Sequence, residues 1–207
     1  MKVYVEEGQK RVFACAADWP GWCRSGKTEQ AALEALAASA PRYAVIAKQA
    51  GAPFNPEQTF EVIERLPGTP TTDFGVPDAI TQADRASLTG KDADRTATLL
   101  EASWKVFGRV VARAPASLRK GPRGGGRDRD KIVEHVMGAE DMYARKIGIK
   151  VNDPGARRAA IIDAIRKAPP PAPDKGWPVR YFVRRTAWHA IDHLWEIEDR
   201  TDRGLKA

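Results

Sequence analysis

The stretch from Trp177 to Arg200 constrains the fold of this chain more than any other. Val183, Ala187, Ala190, Ile191, Leu194 and Ile197 recur in it at three- and four-residue spacing, the stripe of a helix buried along its length. Pro178 suits the first helical turn, where a missing N–H leaves no hydrogen bond unmade. The spacing predicts one long helix.

The same stretch holds two of the three histidines in the chain, His189 and His193, four residues apart. On a helical wheel they fall with Phe182 and Thr186 on the shoulder of the apolar stripe. Neighbouring helical turns stack side chains one above the other, so two imidazoles at this spacing can present their nitrogens to one ion. That is half of a metal site. Zinc, nickel or iron at a catalytic site takes about three protein ligands and keeps a further position for water or substrate. His135 is the candidate third ligand. It shares a helix face with Ile132, Ala139 and Met142, and is expected to point toward a helical interior.

Of the 207 residues, 43% are hydrophobic, enough for one large core or two small ones. No apolar run reaches the length of a membrane span, and Met1 to Glu6 lacks the pattern of a signal peptide, so a cytoplasmic protein is expected. Cys15 and Cys23 are too few for a disulfide framework and lack zinc-knuckle spacing, so both are expected to be reduced. The net charge of +7 favours an anionic partner without pointing to nucleic acid. Much of the surplus lies between Arg119 and Arg129, around Gly124, Gly125 and Gly126.

Read in order, Lys2 to Val5 and Lys10 to Ala16 predict a hairpin, with Gly8 supplying a positive φ at its turn. The Pro20-Gly21 turn follows, and Thr28 caps a helix from Glu29 to about Gln49 that Pro41 ends or kinks. Thr59 to Leu66 completes a ββαβ unit. Pro67 to Asp78 carries three prolines and two glycines, through which no regular element is expected to continue, and divides the chain into 1–72 and 79–207. Four helices are predicted beyond it: Asp92 to Ala114, Asp128 or Asp130 to Ile147, one opened by Asp153-Pro154 and running to Lys167, and the His189/His193 helix after an extended tract at Pro169 to Pro173. The expected class is α+β, a small ββαβ domain followed by a four-helix bundle.

Two resemblances sharpen this reading. The hairpin, Asp18-Trp19-Pro20-Gly21-Trp22, Ser25-Gly26-Lys27-Thr28 and the Ala-rich helix with Glu29, Ala31, Ala32, Leu33 and Ala35 resemble the HicB-like antitoxin domain. That resemblance implies a small α/β interaction module of the kind partnered with RNA-cleaving toxins. From about Ala79 onward, the helix order, His135-Val136-Met137-Gly138-Ala139-Glu140 and the run Thr186 to Arg200 resemble the DinB-like superfamily. It implies a divalent-metal site between the second and fourth helices, carried by His135, His189 and His193. The superfamily includes thiol-dependent transferases and a mycothiol-dependent isomerase.

Imidazole ligands alone leave an ion its full charge, so a bound thiol or water loses its proton at neutral pH. A low-molecular-weight thiol would then attack a small-molecule electrophile, giving S-transfer or isomerisation; water would give a metal-dependent hydrolase. A non-catalytic protein or RNA interaction protein working through the HicB-like module is the rival of another class. Asp192 and Glu196 each follow a histidine by three residues and are candidates to orient an imidazole, whereas Glu140 lies well round its helix from His135. Trp188 and Trp195 face away from the histidines, toward another helix or the N-terminal unit. Arg123 and Arg127, in the Gly-rich loop, are candidates to hold the carboxylates of a thiol cofactor. Apolar helix shoulders would also let two copies pair as a homodimer.

Overall fold

A computed structural model describes residues 1–57, 59–121, 125–167 and 176–201. It is α+β, with a four-stranded sheet in the N-terminal part and helices after it. The strands are β1 (Lys2–Glu7), β2 (Val12–Ala16), β3 (Cys23–Gly26) and β4 (Glu61–Pro67), in sheet order β3-β2-β1-β4. β1 pairs antiparallel with β2, and β2 with β3, while β4 lies parallel to β1 with a register shift at Val3/Tyr4.

Alternation along the strands gives the sheet two buried faces. Val3, Val5, Val12, Ala14 and Ala16 join Ala32, Leu36 and Tyr43 in one cluster, and Tyr4, Phe13 and Cys15 join Trp188 in another. The first face is covered by α1 (Glu29–Ala38) and α2 (Ala40–Gln49), which break at Ser39, just ahead of Pro41. Thr28 caps α1 by accepting from the Ala31 N–H at 3.2 Å.

The hairpin turn departs from expectation. Gly8 is not among the glycines with positive φ; it lies against the Asp73 carboxylate and the Arg11 carbonyl oxygen, which a Cβ there would crowd. That carboxylate accepts from the Lys10 N–H at 2.7 Å, which ties the turn to the segment after β4.

Three further expectations are corrected. The polar Cys23–Gly26 run is a strand, so the unit has three strands before its helices. The Pro-rich boundary contains a helix, α3 (Pro70–Phe74), because Thr69 caps it, Pro70 occupies the first turn where proline is tolerated, and Gly75 closes it at φ 114°. Finally, Cys15 and Cys23 are not reduced. The Trp19–Trp22 turn folds β3 back on β2, the two cysteines become register partners, and a disulfide joins them. The expectation of a cytoplasmic protein takes no support from this pair.

The remaining helices are α4 (Gly90–Arg113), α5 (Arg129–Lys146), α6 (Pro154–Arg166) and α7 (Val179–Arg200), with a single 3-10 turn at Ala83–Arg85 before them. Pro178 sits at the N-cap of α7 rather than inside its first turn. The expected extended tract at Pro169 to Pro173 lies outside the described residues. α7 packs on α4 and α5, α6 on the same two helices, and α2 on α4. One hydrophobic cluster therefore takes Val3, Leu36 and Tyr43 from the first segment together with Leu99, Phe107, Ile191 and Trp195 from the second.

The connection between the segments is fixed to the sheet by Glu6. Its fully buried carboxylate accepts from the Thr72 hydroxyl and from the backbone N–H groups of Asp78 and Ala79, the latter two at 2.9 Å. Among the described residues, no helix is long and apolar enough to cross a membrane.

Candidate metal centre

α7 runs between the sheet and the other long helices, and its faces divide the work. Val183, Ala187, Ala190, Leu194 and Ile197 are buried, as the spacing predicts. The turn at Gly21 lies directly on the helix: a Cβ there would come within 2.7 Å of the Ile191 Cδ1 and 2.8 Å of the Ala187 carbonyl carbon. Trp188 meets Phe13 edge-on at 6.4 Å, and Trp195 lies under the guanidiniums of Arg24 and Arg42 at 3.8 and 4.9 Å. Both tryptophans thus pack against the N-terminal unit.

The third side of α7 faces α5 and carries His189 and His193. His135 projects from α5 to meet them, and the three ring centres lie 4.7–4.9 Å apart. One ligand nitrogen from each ring lies within 4.8 Å of the others. The Nε2 atoms of His135 and His189 are 3.1 Å apart. Nitrogens bound to one zinc ion at about 2.1 Å would sit about 3.4 Å from each other in a tetrahedral site, near the separation found between His135 and His189. The three histidines lie close enough to bind a metal ion.

Glu196 sets the orientation of His193. Its Oε2 lies 2.7 Å from Nδ1, and because a carboxylate only accepts, the imidazole donates from Nδ1, which leaves Nε2 as the nitrogen available to an ion. Arg200 donates to the other oxygen, Oε1, at 2.6 Å and also to the backbone carbonyls of Arg119 and Arg127 at 2.8 and 2.7 Å. The hydrogen bond from His193 holds the Glu196 carboxyl below its usual range, against the effect of burial.

Burial pushes His189 down to about 2, helped by His193, His135, Arg185 and Arg127. His135 is lowered by burial and then by His193 and Arg127, with Glu196 opposing. Both rings are accordingly neutral at pH 7, the form that ligates a metal.

Other expectations fare differently. Asp192 does not orient an imidazole; it pairs with Arg24 at 3.0 Å, since β3 brings that arginine to the rim of α7. Met142 does not share the inward face of α5 and is 59% exposed, whereas Glu140 is buried. Glu140 binds Arg158 at 2.9 Å with Arg157 at 3.6 Å, and burial raises its carboxyl despite both cations. Arg123 lies outside the described residues. Arg127 borders an open groove with Asp128, Lys131, Glu134 and His135.

Two neighbours of the cluster escaped the sequence reading. The Tyr143 ring stands 5.9 Å from that of His189, and the Arg185 guanidinium lies 5.4 Å from the centre of Tyr143. The signal was present, since Arg185 precedes His189 by one helical turn and Tyr143 follows His135 by two.

No protein-family model, curated protein or solved structure matches the chain.

Proposed function

We propose that this protein binds a divalent metal ion through His135, His189 and His193 and uses it for thiol-dependent S-transfer or isomerisation of a small electrophile. The observation that carries the reading is the convergence of all three histidines of the chain, from two helices, on a space that one ion would fill. The second contact made by Glu196 adds support, because such a carboxylate fixes the tautomer and ring orientation that ligation needs.

The donor set contains no carboxylate, so a bound zinc, nickel or iron ion would keep its full charge and supply chemistry that deprotonates a thiol at neutral pH. The residues of the chain hold the ion, exclude carboxylates from its first ring of ligands and keep His135 and His189 unprotonated. In the same reading α4 to α7 form a DinB-like four-helix bundle, and the N-terminal unit is a HicB-like module. The thiol rests on the resemblance to the DinB-like superfamily.

The test is a rate measurement. Metal-loaded protein is given an aryl halide or an α,β-unsaturated carbonyl compound, with and without a panel of low-molecular-weight thiols. A rate that saturates in one thiol and disappears in His189→Ala supports the proposal. Turnover of an ester or amide with no thiol present identifies a hydrolase and contradicts it.

A further inference from the structure

We infer that Arg185 binds a carboxylate group of the ligand taken at the histidine cluster, so that the ligand is anionic; the inference rests on the metal-centre reading proposed above. α7 carries four arginines. Arg180 pairs with Asp92 at 3.4 Å, Arg184 with Asp84, and Arg200 with Glu196 at 2.6 Å. Arg185 makes no ion pair among the described residues.

Its Nη1 donates to the Pro77 carbonyl at 3.3 Å, while its Nε is buried with no acceptor. A buried N–H of a cation left without a partner costs free energy that a ligand's acceptor would recover. Asp78, next in sequence to the Pro77 whose carbonyl Arg185 meets, does not supply that acceptor: its two oxygens accept from the hydroxyls of Tyr181 and Thr69 at 3.2 and 3.1 Å.

The guanidinium is also well placed. It lies 5.4 Å from the ring centre of Tyr143 and 5.1 Å from that of Trp188. Those two rings stand 5.9 and 6.1 Å from the ring of His189. A guanidinium held against the rings of both Tyr143 and Trp188 is oriented before any ligand arrives, which limits the entropy lost on binding. The charge of Arg185, without an ion pair among the described residues, suits an anionic group such as a carboxylate. The planar guanidinium edge containing Nε matches its two oxygens.

The test uses cobalt(II)-loaded full-length protein and two probes of equal size, 3-mercaptopropionate and its neutral amide. Each is titrated while the thiolate-to-cobalt absorption is followed. The acid is expected to bind about tenfold more tightly than the amide, the size of one charge-assisted contact. In Arg185→Gln that preference is expected to fall to within about twofold, with cobalt content and amide affinity unchanged.

Equal affinity of acid and amide in the wild type overturns the inference, as does a preference that survives in R185Q. If R185Q does not fold, R185K keeps the charge without the planar fork; a weakened preference there supports the inference and an unchanged one contradicts it. Failure to take up cobalt at all is a separate result, which removes the metal reading and this inference with it.

Discussion

Glu196 joins an imidazole to a loop: one oxygen takes the Nδ1–H of His193, and the other takes a guanidinium N–H of Arg200, whose remaining bonds reach Arg119 and Arg127. Glu196→Gln keeps the shape and removes the charge, and is expected to weaken metal affinity about 10- to 100-fold. Competition against a chelating dye measures this, and unchanged affinity contradicts the assigned role. His189 makes a second residue-level prediction. Its folded pKa of about 2 lies far below the value near 6.5 of an exposed histidine. Between those two values the unfolded chain binds more protons, so stability is fully present above about pH 6.5 and is lost as pH falls toward 2. Denaturant titrations of the metal-free protein at pH 7 and pH 5 are expected to show lower stability at pH 5, with the difference reduced in His189→Phe; no difference in the wild type contradicts it. The histidines were legible in the sequence because they are rare and helically spaced. Asp192 has the same spacing from His189 as Glu196 has from His193, yet it goes to Arg24, and only the fold of β3 explains that.

At the scale of elements, α7 depends on a glycine that is remote in sequence. Gly21 has φ +85° and lies against Ala187 and Ile191, so a methyl group there meets both a strained backbone and a filled space. Gly21→Ala is expected to destabilise the protein by about 2–4 kcal/mol, the sum of overpacking and of left-handed backbone in a residue with a Cβ. Thermal unfolding checks this, and a melting temperature unchanged from wild type would show that the turn does not bear on the helix. The long helices and the first two strands were legible because apolar residues repeat at 3.6 or 2 along them. The missed elements are short and polar. β3 spans Cys23–Gly26 and is fixed by its pairing with β2, and α3 is opened by the same kind of residue, Pro70, that was read as a breaker. With β3 missed, the Cys15–Cys23 disulfide was hidden as well.

For the whole molecule, the boundary at residues 67–78 is clear in composition, yet the segments on either side meet in one hydrophobic cluster and are joined through the buried Glu6 carboxylate. Such contacts were not legible because they depend on which helix face lies on which sheet face, and local periodicity does not encode that choice. The result is a frame in which the sheet and α4 hold α7 from two sides, leaving its remaining face to meet α5 at the histidines. That convergence is the central claim. It is tested most directly by measuring metal content with inductively coupled plasma mass spectrometry, on untagged wild type beside the variant with alanine at His135, His189 and His193. About one divalent ion per chain is expected in the wild type and none in the variant. Wild-type protein that remains metal-free after incubation with zinc, nickel and iron(II), or a variant that retains as much metal as the wild type, would contradict the account.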